Sequence, residues 1–305
     1  MIKLDLLQQT IFETIRRAST IIPNDVKNAF KKAIKIESSK NAKTGLQNTL
    51  QSIKLSEIMD SPLCPDTGWP IFFFKIGNDC KIDGGVLSIE KTAEKAVIQA
   101  TEFGYLRKTM KHPISGFDPG NNIGLNIPDY TYKFVPGNEI EITFVPKGGG
   151  SECFGGTRYK VIAFADGITG IKKFIIDSFV DSTRTGAICP PSILGVGIGG
   201  TANMVANLAK QATCLRLIGS KNPDIAMAQL EEELLSRINR LGIGIMGIGG
   251  ETSVFAVNIE FSFTHLAGIT CATSSNCMIV RRATTRIKAN SSVEIINNPL
   301  WFGGR

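Results

Sequence analysis

Three cysteines constrain this chain more than any other feature, because each sits in a turn-forming setting and the three are far apart. They are Ser61-Pro62-Leu63-Cys64-Pro65-Asp66-Thr67-Gly68, Ala187-Ile188-Cys189-Pro190-Pro191 and Ser274-Ser275-Asn276-Cys277. Cys64 lies 125 residues before Cys189, and Cys189 lies 88 before Cys277, which excludes a local zinc finger. Two of the three are followed by proline, whose fixed φ and missing N–H keep the chain out of regular pairing and leave the thiol at a bend. A fold that uses all three must deliver three separate bends to one place. Thiolates on such turns suit an iron–sulfur cluster, and three of them would leave one iron of a four-iron cluster open to substrate.

The remaining composition narrows the setting. A chain of 305 residues at 43% hydrophobic can bury a large core. The first 20 residues are amphipathic without a continuous apolar block, so no signal peptide is expected, and the longer apolar runs are broken by glycine or charge, so no membrane span is expected. Seven cysteines, an odd count, do not form a secreted disulfide framework, and a cytoplasmic location is expected. The net charge of +7 is scattered, apart from Lys27 to Lys43, which reads as a solvated helix face. Without aromatic and basic interleaving, nucleic acid is not an expected partner; an anionic small substrate is compatible.

Helical spacing recurs through Leu6-Leu7-Ile11-Ile15, Val26-Phe30-Ile34 and Leu46-Leu50-Ile53, with a helix start at Pro23-Asn24-Asp25. Residues 1–60 therefore read as a helical N-terminal section, and 61–305 as the catalytic region, the two forming one structural unit. Ile71 to Gly77 is a short apolar run bounded by Pro and Gly and reads as a strand. A helix is expected near Ser88 to Thr101, a loop from Pro113 to Pro128, and a strand from Tyr132 to Val145. The mixture gives an α/β (α+β) fold of mixed sheets with packed helices.

Two glycine clusters invite a ligand. Lys147-Gly148-Gly149-Gly150-Ser151-Glu152 ends a strand, where backbone N–H groups could approach an anion, or where a hairpin tip could simply flex. Gly195, Gly197 and Gly200 match a dinucleotide fingerprint before an expected helix from Thr201 to Thr213. The acidic residue required about 20 residues later is missing from Leu215-Arg216-Leu217-Ile218-Gly219. A near-copy, Gly242 to Gly250, follows an expected helix from Ile225 to Leu241, so turns that pack backbone closely are the more economical account.

Together, Cys64-x-Asp66-Thr67-Gly68, Lys147-Gly148-Gly149-Gly150-Ser151, Cys189-Pro190-Pro191, Gly197-Ile198-Gly199-Gly200, Arg240-Leu241-Gly242-Ile243-Gly244 and His265 twelve residues before Cys277 resemble the α part of the class I (iron–sulfur) fumarate hydratases and L-tartrate dehydratases. The resemblance runs from about residue 45 to 290. It implies a 4Fe-4S cluster held by Cys64, Cys189 and Cys277, with the fourth iron facing a dicarboxylate. It also implies that Arg107 and the Gly148, Gly149 and Gly150 backbone hold substrate, and that His265 and Asp66 serve both catalysis and substrate binding. Asp66 is expected to orient the proton-abstracting base, a hydroxyl on the β part; capping its own tight turn is the simpler role. His112 is expected to be structural or at the surface.

That chemistry has a physical logic. Moving water on or off a dicarboxylate builds negative charge at the carbon acid and at the leaving hydroxyl, which a Lewis-acidic iron and a bidentate arginine neutralise. The chain departs from the family at Pro65, which stands where a substrate-contacting glutamine is general. The Gly-Gly-Gly-Ser sequence is nearer the fumarase pattern, so fumarate to malate leads, with tartrate or mesaconate behind it. The β part is absent from the sequence, so a separate β subunit in an α2β2 assembly is expected. Cys271 could compete with Cys277 as a ligand, whereas Cys80, Cys153 and Cys214 read mainly as small apolar residues. A cluster protein without hydratase activity and a dinucleotide-dependent oxidoreductase are the alternatives from other classes.

Overall fold

Trp69–Gly77 forms strand β1, with Phe72, Phe73 and Phe74 all buried because a central strand is covered on both faces. The structure, a computed structural model, describes residues 1–154 and 156–302; Gly155 and the end of the region expected at 61–305 lie outside the described residues. The single strand expected from Tyr132 to Val145 is two strands, β2 (Asp129–Val135) and β3 (Ile140–Lys147). They flank β1, β2 running parallel to it and β3 antiparallel. The break falls at Gly137 (φ +124), whose carbonyl oxygen lies 2.3 Å from where a Cβ on Gly77 would sit. Alternation continues on both sides of that turn, which is why the pattern hid it.

The chain divides into two compact units. The first contains Met1–Pro23, Ser52–Lys147 and Arg281–Pro299. Its sheet has the order β2-β1-β3-β8-β9, where β8 is Ala283–Ile287 and β9 is Val293–Ile295. Helices α1 (Leu4–Thr20) and α4 (Ser88–Glu102) supply Leu7, Ile11, Ile15, Ala93 and Val97 to a core shared with Phe72, Phe74 and Phe144. Buried threonine hydroxyls join α1 to β8 (Thr14 to Thr285, 2.7 Å) and β3 to β8 (Thr143 to Thr284, 2.8 Å).

The second unit contains Asn24–Gln51, Gly148–Val280 and the residues from Leu300 onward. Helix α2 (Asn24–Ile36) lies in it, and α3 (Lys40–Met59) passes from it into the first. Its sheet has the order β4-β7-β5-β6, with β4 Thr157–Ile162, β5 Ser192–Ile198, β6 Val254–Phe261 and β7 Ile269–Asn276. Helices α5 (Gly149–Cys153), α6 (Gly167–Arg184), α7 (Ala202–Leu215) and α8 (Ile225–Asn239) complete it. The fingerprint glycines seat α7: a Cβ on Gly195 would lie 2.2 Å from the Ala209 carbonyl oxygen, and one on Gly197 2.1 Å from that of Val205. Close helix-on-strand packing accounts for them without a nucleotide. Among the described residues, no helix is long and apolar enough to cross a membrane.

Candidate functional site

Strands β5 and β7 are antiparallel, with Ile193 opposite Asn276. Cys189 precedes β5 and Cys277 follows β7, so this register carries both thiols to one end of the second unit's sheet. The Met278 N–H donates to the Cys189 carbonyl at 2.9 Å. Both thiols are half-buried and neither is in a disulfide. The Cys189 turn is braced from two further sides. A Cβ on Gly150 would meet the Ala187 carbonyl oxygen at 2.4 Å, and the Met246 N–H donates to the Pro190 carbonyl at 2.9 Å. The triple glycine, expected as an open loop, thus starts the short helix α5 and packs against the approach to Cys189. The Gly242–Gly250 segment winds on itself, with Gly244 at φ +67 and its Cβ position 1.9 Å from the Gly249 carbonyl oxygen.

Cys64 belongs to the first unit and is also half-buried. Its turn is closed by Asp66, whose Oδ1 accepts the Gly68 N–H at 3.1 Å, so the capping role expected of this residue is present. Gly68 stands at φ +82, and a Cβ there would lie 2.5 Å from the backbone of the buried Lys147. Arg107 joins the turn twice: its N–H donates to Thr67 Oγ1 at 2.8 Å and its Nη1 to the Pro65 carbonyl at 2.7 Å. Pro65, Asp66 and Arg107 are therefore assembled beside Cys64.

Asn122 escaped the sequence reading. It is 2% exposed, stands at φ +63, and gives its two amide hydrogens to the Arg107 carbonyl (2.7 Å) and Thr101 Oγ1 (3.0 Å). Its Oδ1 accepts the Thr109 and Met110 N–H groups at 2.9 and 3.3 Å. An asparagine inside a Gly- and Pro-rich stretch looks like loop filler; the one available signal is its tolerance of the left-handed region. Upstream of Cys64, Asp60 takes hydrogen bonds from Arg16 (2.5 Å) and the Tyr105 hydroxyl (2.8 Å). Burial, then the bond to Asp60, holds the Tyr105 hydroxyl above its ordinary pKa.

The structure does not bring His265 to the two thiols of its own unit. It is exposed on the connection between β6 and β7, with Nδ1 accepting the Ala267 N–H at 3.1 Å, while Cys277 follows the other end of β7. The eight residues of β7 separate them, a span of about 26 Å for extended chain. His112 Nδ1 accepts the Ile114 and Ser115 N–H groups, a turn-forming role. Cys271 is fully buried in β7 and its thiol is pushed up to about 12 by burial, which removes it as a competitor of Cys277. Cys153 is exposed and lines a cavity of about 440 Å³ with Phe154, Arg158, Thr185, Gly186 and Ala187.

Among the described residues, no group of three or more His, Cys, Asp or Glu side chains is assembled around a metal position. Within the second unit, however, the donor chemistry fits a cluster. Within three residues of Cys189 or Cys277 in sequence are buried polar atoms with no hydrogen-bond partner among the described residues, namely the Ser192, Ser274 and Ser275 hydroxyls and Asn276 Nδ2. Native interiors leave few such groups. Half-buried thiols flanked by unused donors suit sulfur-rich, acceptor-only iron–sulfur chemistry.

The family model described as fumarate hydratase (Fumerase) matches residues 8–286. A Methanocaldococcus jannaschii protein named "Putative L(+)-tartrate dehydratase subunit alpha" is 38% identical over 289 residues, 94% of this chain and 99% of that one. Two proteins named L(+)-tartrate dehydratase subunit alpha, from Escherichia coli O157:H7 and strain K12, are 34% and 33% identical, each over 92% of this chain and 90% of theirs. The matched span takes in all three cysteine turns, Arg107 and both glycine clusters. The chain belongs to the fumarate hydratase (Fumerase) family.

Proposed function

We propose that this chain is the α subunit of an iron–sulfur hydro-lyase that adds water to, or removes it from, a C4 dicarboxylate, completed by a separate β subunit in an α2β2 assembly. The observation that carries the reading is the pairing of Cys189 with Cys277 at one sheet end, beside unused hydrogen-bond donors. Cys64, Cys189 and Cys277 would hold a 4Fe-4S cluster, which when bound supplies a Lewis acid for the substrate's carboxylate and hydroxyl oxygens. The reducing cytoplasm is the setting that such a cluster and seven cysteines outside any disulfide call for.

The other residues have protein-side tasks. Arg107 is aimed by its bonds to Thr67 and Pro65, and its remaining guanidinium donors clamp a carboxylate. Asp66 orients a base on the β subunit while its Oδ1 keeps the turn closed. The Gly148–Gly150 backbone lines the substrate. Pro65 offers no side-chain donor, so recognition there falls to its neighbours. His265, at the far end of β7, is given no part in the group around Cys189 and Cys277.

L(+)-tartrate ranks first as substrate because the relatives named above are L(+)-tartrate dehydratase α subunits. Fumarate and malate form a second reading from the Gly-Gly-Gly-Ser sequence. Ser151 weakens that reading, since its hydroxyl is buried and donates to the Gly148 carbonyl at 2.8 Å. The test is anaerobic reconstitution of the chain with its β subunit, iron and sulfide, followed by turnover and electron paramagnetic resonance with L(+)-tartrate, malate, fumarate and mesaconate. Turnover and a shifted signal with one acid are expected; a cluster indifferent to every acid would leave a non-catalytic iron–sulfur protein.

A further inference from the structure

The unpaired polar atoms at the end of β5 and β7 are specific in their placement. Ser192, Ser275 and Asn276 are 0%, 1% and 5% exposed, so solvent does not satisfy them. Asn276 is the most informative. Its Oδ1 accepts the Cys277 N–H at 3.1 Å, which fixes which end of the amide is oxygen and commits the buried Nδ2 to another acceptor. Ser275 stands opposite Leu194 in the ladder, and Ser192 begins β5 three residues after Cys189. Each is a donor within three residues of one of the two thiols in sequence, and none has an acceptor among the described residues.

We propose that Asn276 Nδ2 and the hydroxyls of Ser192 and Ser275 donate hydrogen bonds to the sulfur atoms of a cluster held by Cys189 and Cys277. They thereby set how tightly the cluster is kept and how readily it is reduced. The inference rests on the cluster reading above. Cluster sulfurs carry negative charge and only accept, whereas a hydroxyl or amide N–H can donate to them at no cost to any bond within the chain. Such bonds favour the more negative, reduced state, so losing one lowers the reduction midpoint. These are positioning residues, not groups that touch the reacting carbon.

The experiment compares Ser192→Ala, Ser275→Ala and Asn276→Asp with wild type, each as cluster-free and as reconstituted protein with the β subunit. The readouts are melting temperature without the cluster, iron retained against a chelator, and reduction midpoint. The two alanine variants should melt no lower than wild type when cluster-free, because the lost hydroxyl had no partner. When reconstituted they should lose iron about 10- to 100-fold faster, the usual scale for residues that support metal ligands, and show a lower midpoint. Asn276→Asp, which turns a donor into an anionic acceptor, should shift the midpoint further in the same direction. Lower cluster-free melting in both alanine variants, or iron retention and midpoints equal to wild type, would overturn the inference. A wild type that takes up no iron would overturn the cluster reading itself, which separates the two failures.

Discussion

Replacing Asn122 with alanine should cost about 2–4 kcal/mol. The side chain makes five hydrogen bonds that hold the Arg107 segment to the end of α4 and to Thr109 and the Met110 backbone. Removing it leaves the N–H of buried Met110 without an acceptor, a loss of about 1–3 kcal/mol. Thr109 is half-buried and Arg107 exposed, so the groups they lose from the network recover water and add little. Alanine at φ +63 adds about 1 kcal/mol, which asparagine largely avoids. That total is a large share of the roughly 5–15 kcal/mol by which domains are stable. The assay is urea unfolding followed by the fluorescence of Trp69, with Trp301→Phe as background because each unit contains one tryptophan. Asn122→Gly separates the contributions, since it loses the same bonds without the backbone cost and should fall about 1 kcal/mol less far. An alanine variant within about 1 kcal/mol of its parent, close to the scatter of ordinary surface substitutions, would refute the account. So would a glycine variant as unstable as alanine.

Gly195→Ala should lower thermal stability by at least about 1–3 kcal/mol, the cost of overpacking, because the new Cβ meets the backbone of α7 at Ala209 and Thr213. Gly124→Ala, with nothing within 4 Å of its Cβ position, is the control, and equal losses in both would refute the seating of α7 by glycine. The Cys271 thiol gives an alkaline prediction. Its folded pKa of about 12 exceeds the ordinary 9.0, so below pH 9 the thiol is neutral in both states. Between pH 9 and 12 only the unfolded chain releases the proton, and stability falls with a limiting slope of about 1.4 kcal/mol per pH unit. Cys271→Ala should remove that part of the alkaline slope in urea titrations; an unchanged slope would show that another group causes it.

Helices α1 to α4, α7 and α8 and strand β1 were legible because their apolar spacing is imposed by the faces they bury: Leu7, Ile11 and Ile15 line one side of α1, and all three are fully buried. Helices α5 and α6 were not read. The break between β2 and β3 was not legible, since both flank β1 and continue the same alternation. At the candidate site, the three cysteine turns and Arg107 could be picked out from residue type and resemblance. Their partners could not. Cys189 meets Cys277 through a ladder register, and Arg107 bonds directly to Pro65 while Thr67 and Asn122 hold its backbone, relations set by pairing across the fold and absent from local pattern. His265 shows the converse: twelve residues from Cys277 in sequence, it is carried away from it by an extended strand.

The completion of the first sheet has a consequence for how the chain is made. β3 acquires its second neighbour only from β8, with Thr143 and Thr284 separated by 141 residues. At about 5–20 residues per second of synthesis, β3 waits roughly 7–28 seconds on the ribosome with one edge unpaired. Its exposed interval is blunted by charge, since Glu141 is paired with Lys75 on the neighbouring β1 at 3.2 Å and disfavours pairing with an uncharged foreign strand. When Arg286 finally arrives on β8 it bonds to the same Glu141 at 3.0 Å. The residue that guards the growing edge is thus also the one that receives the strand meant to close it.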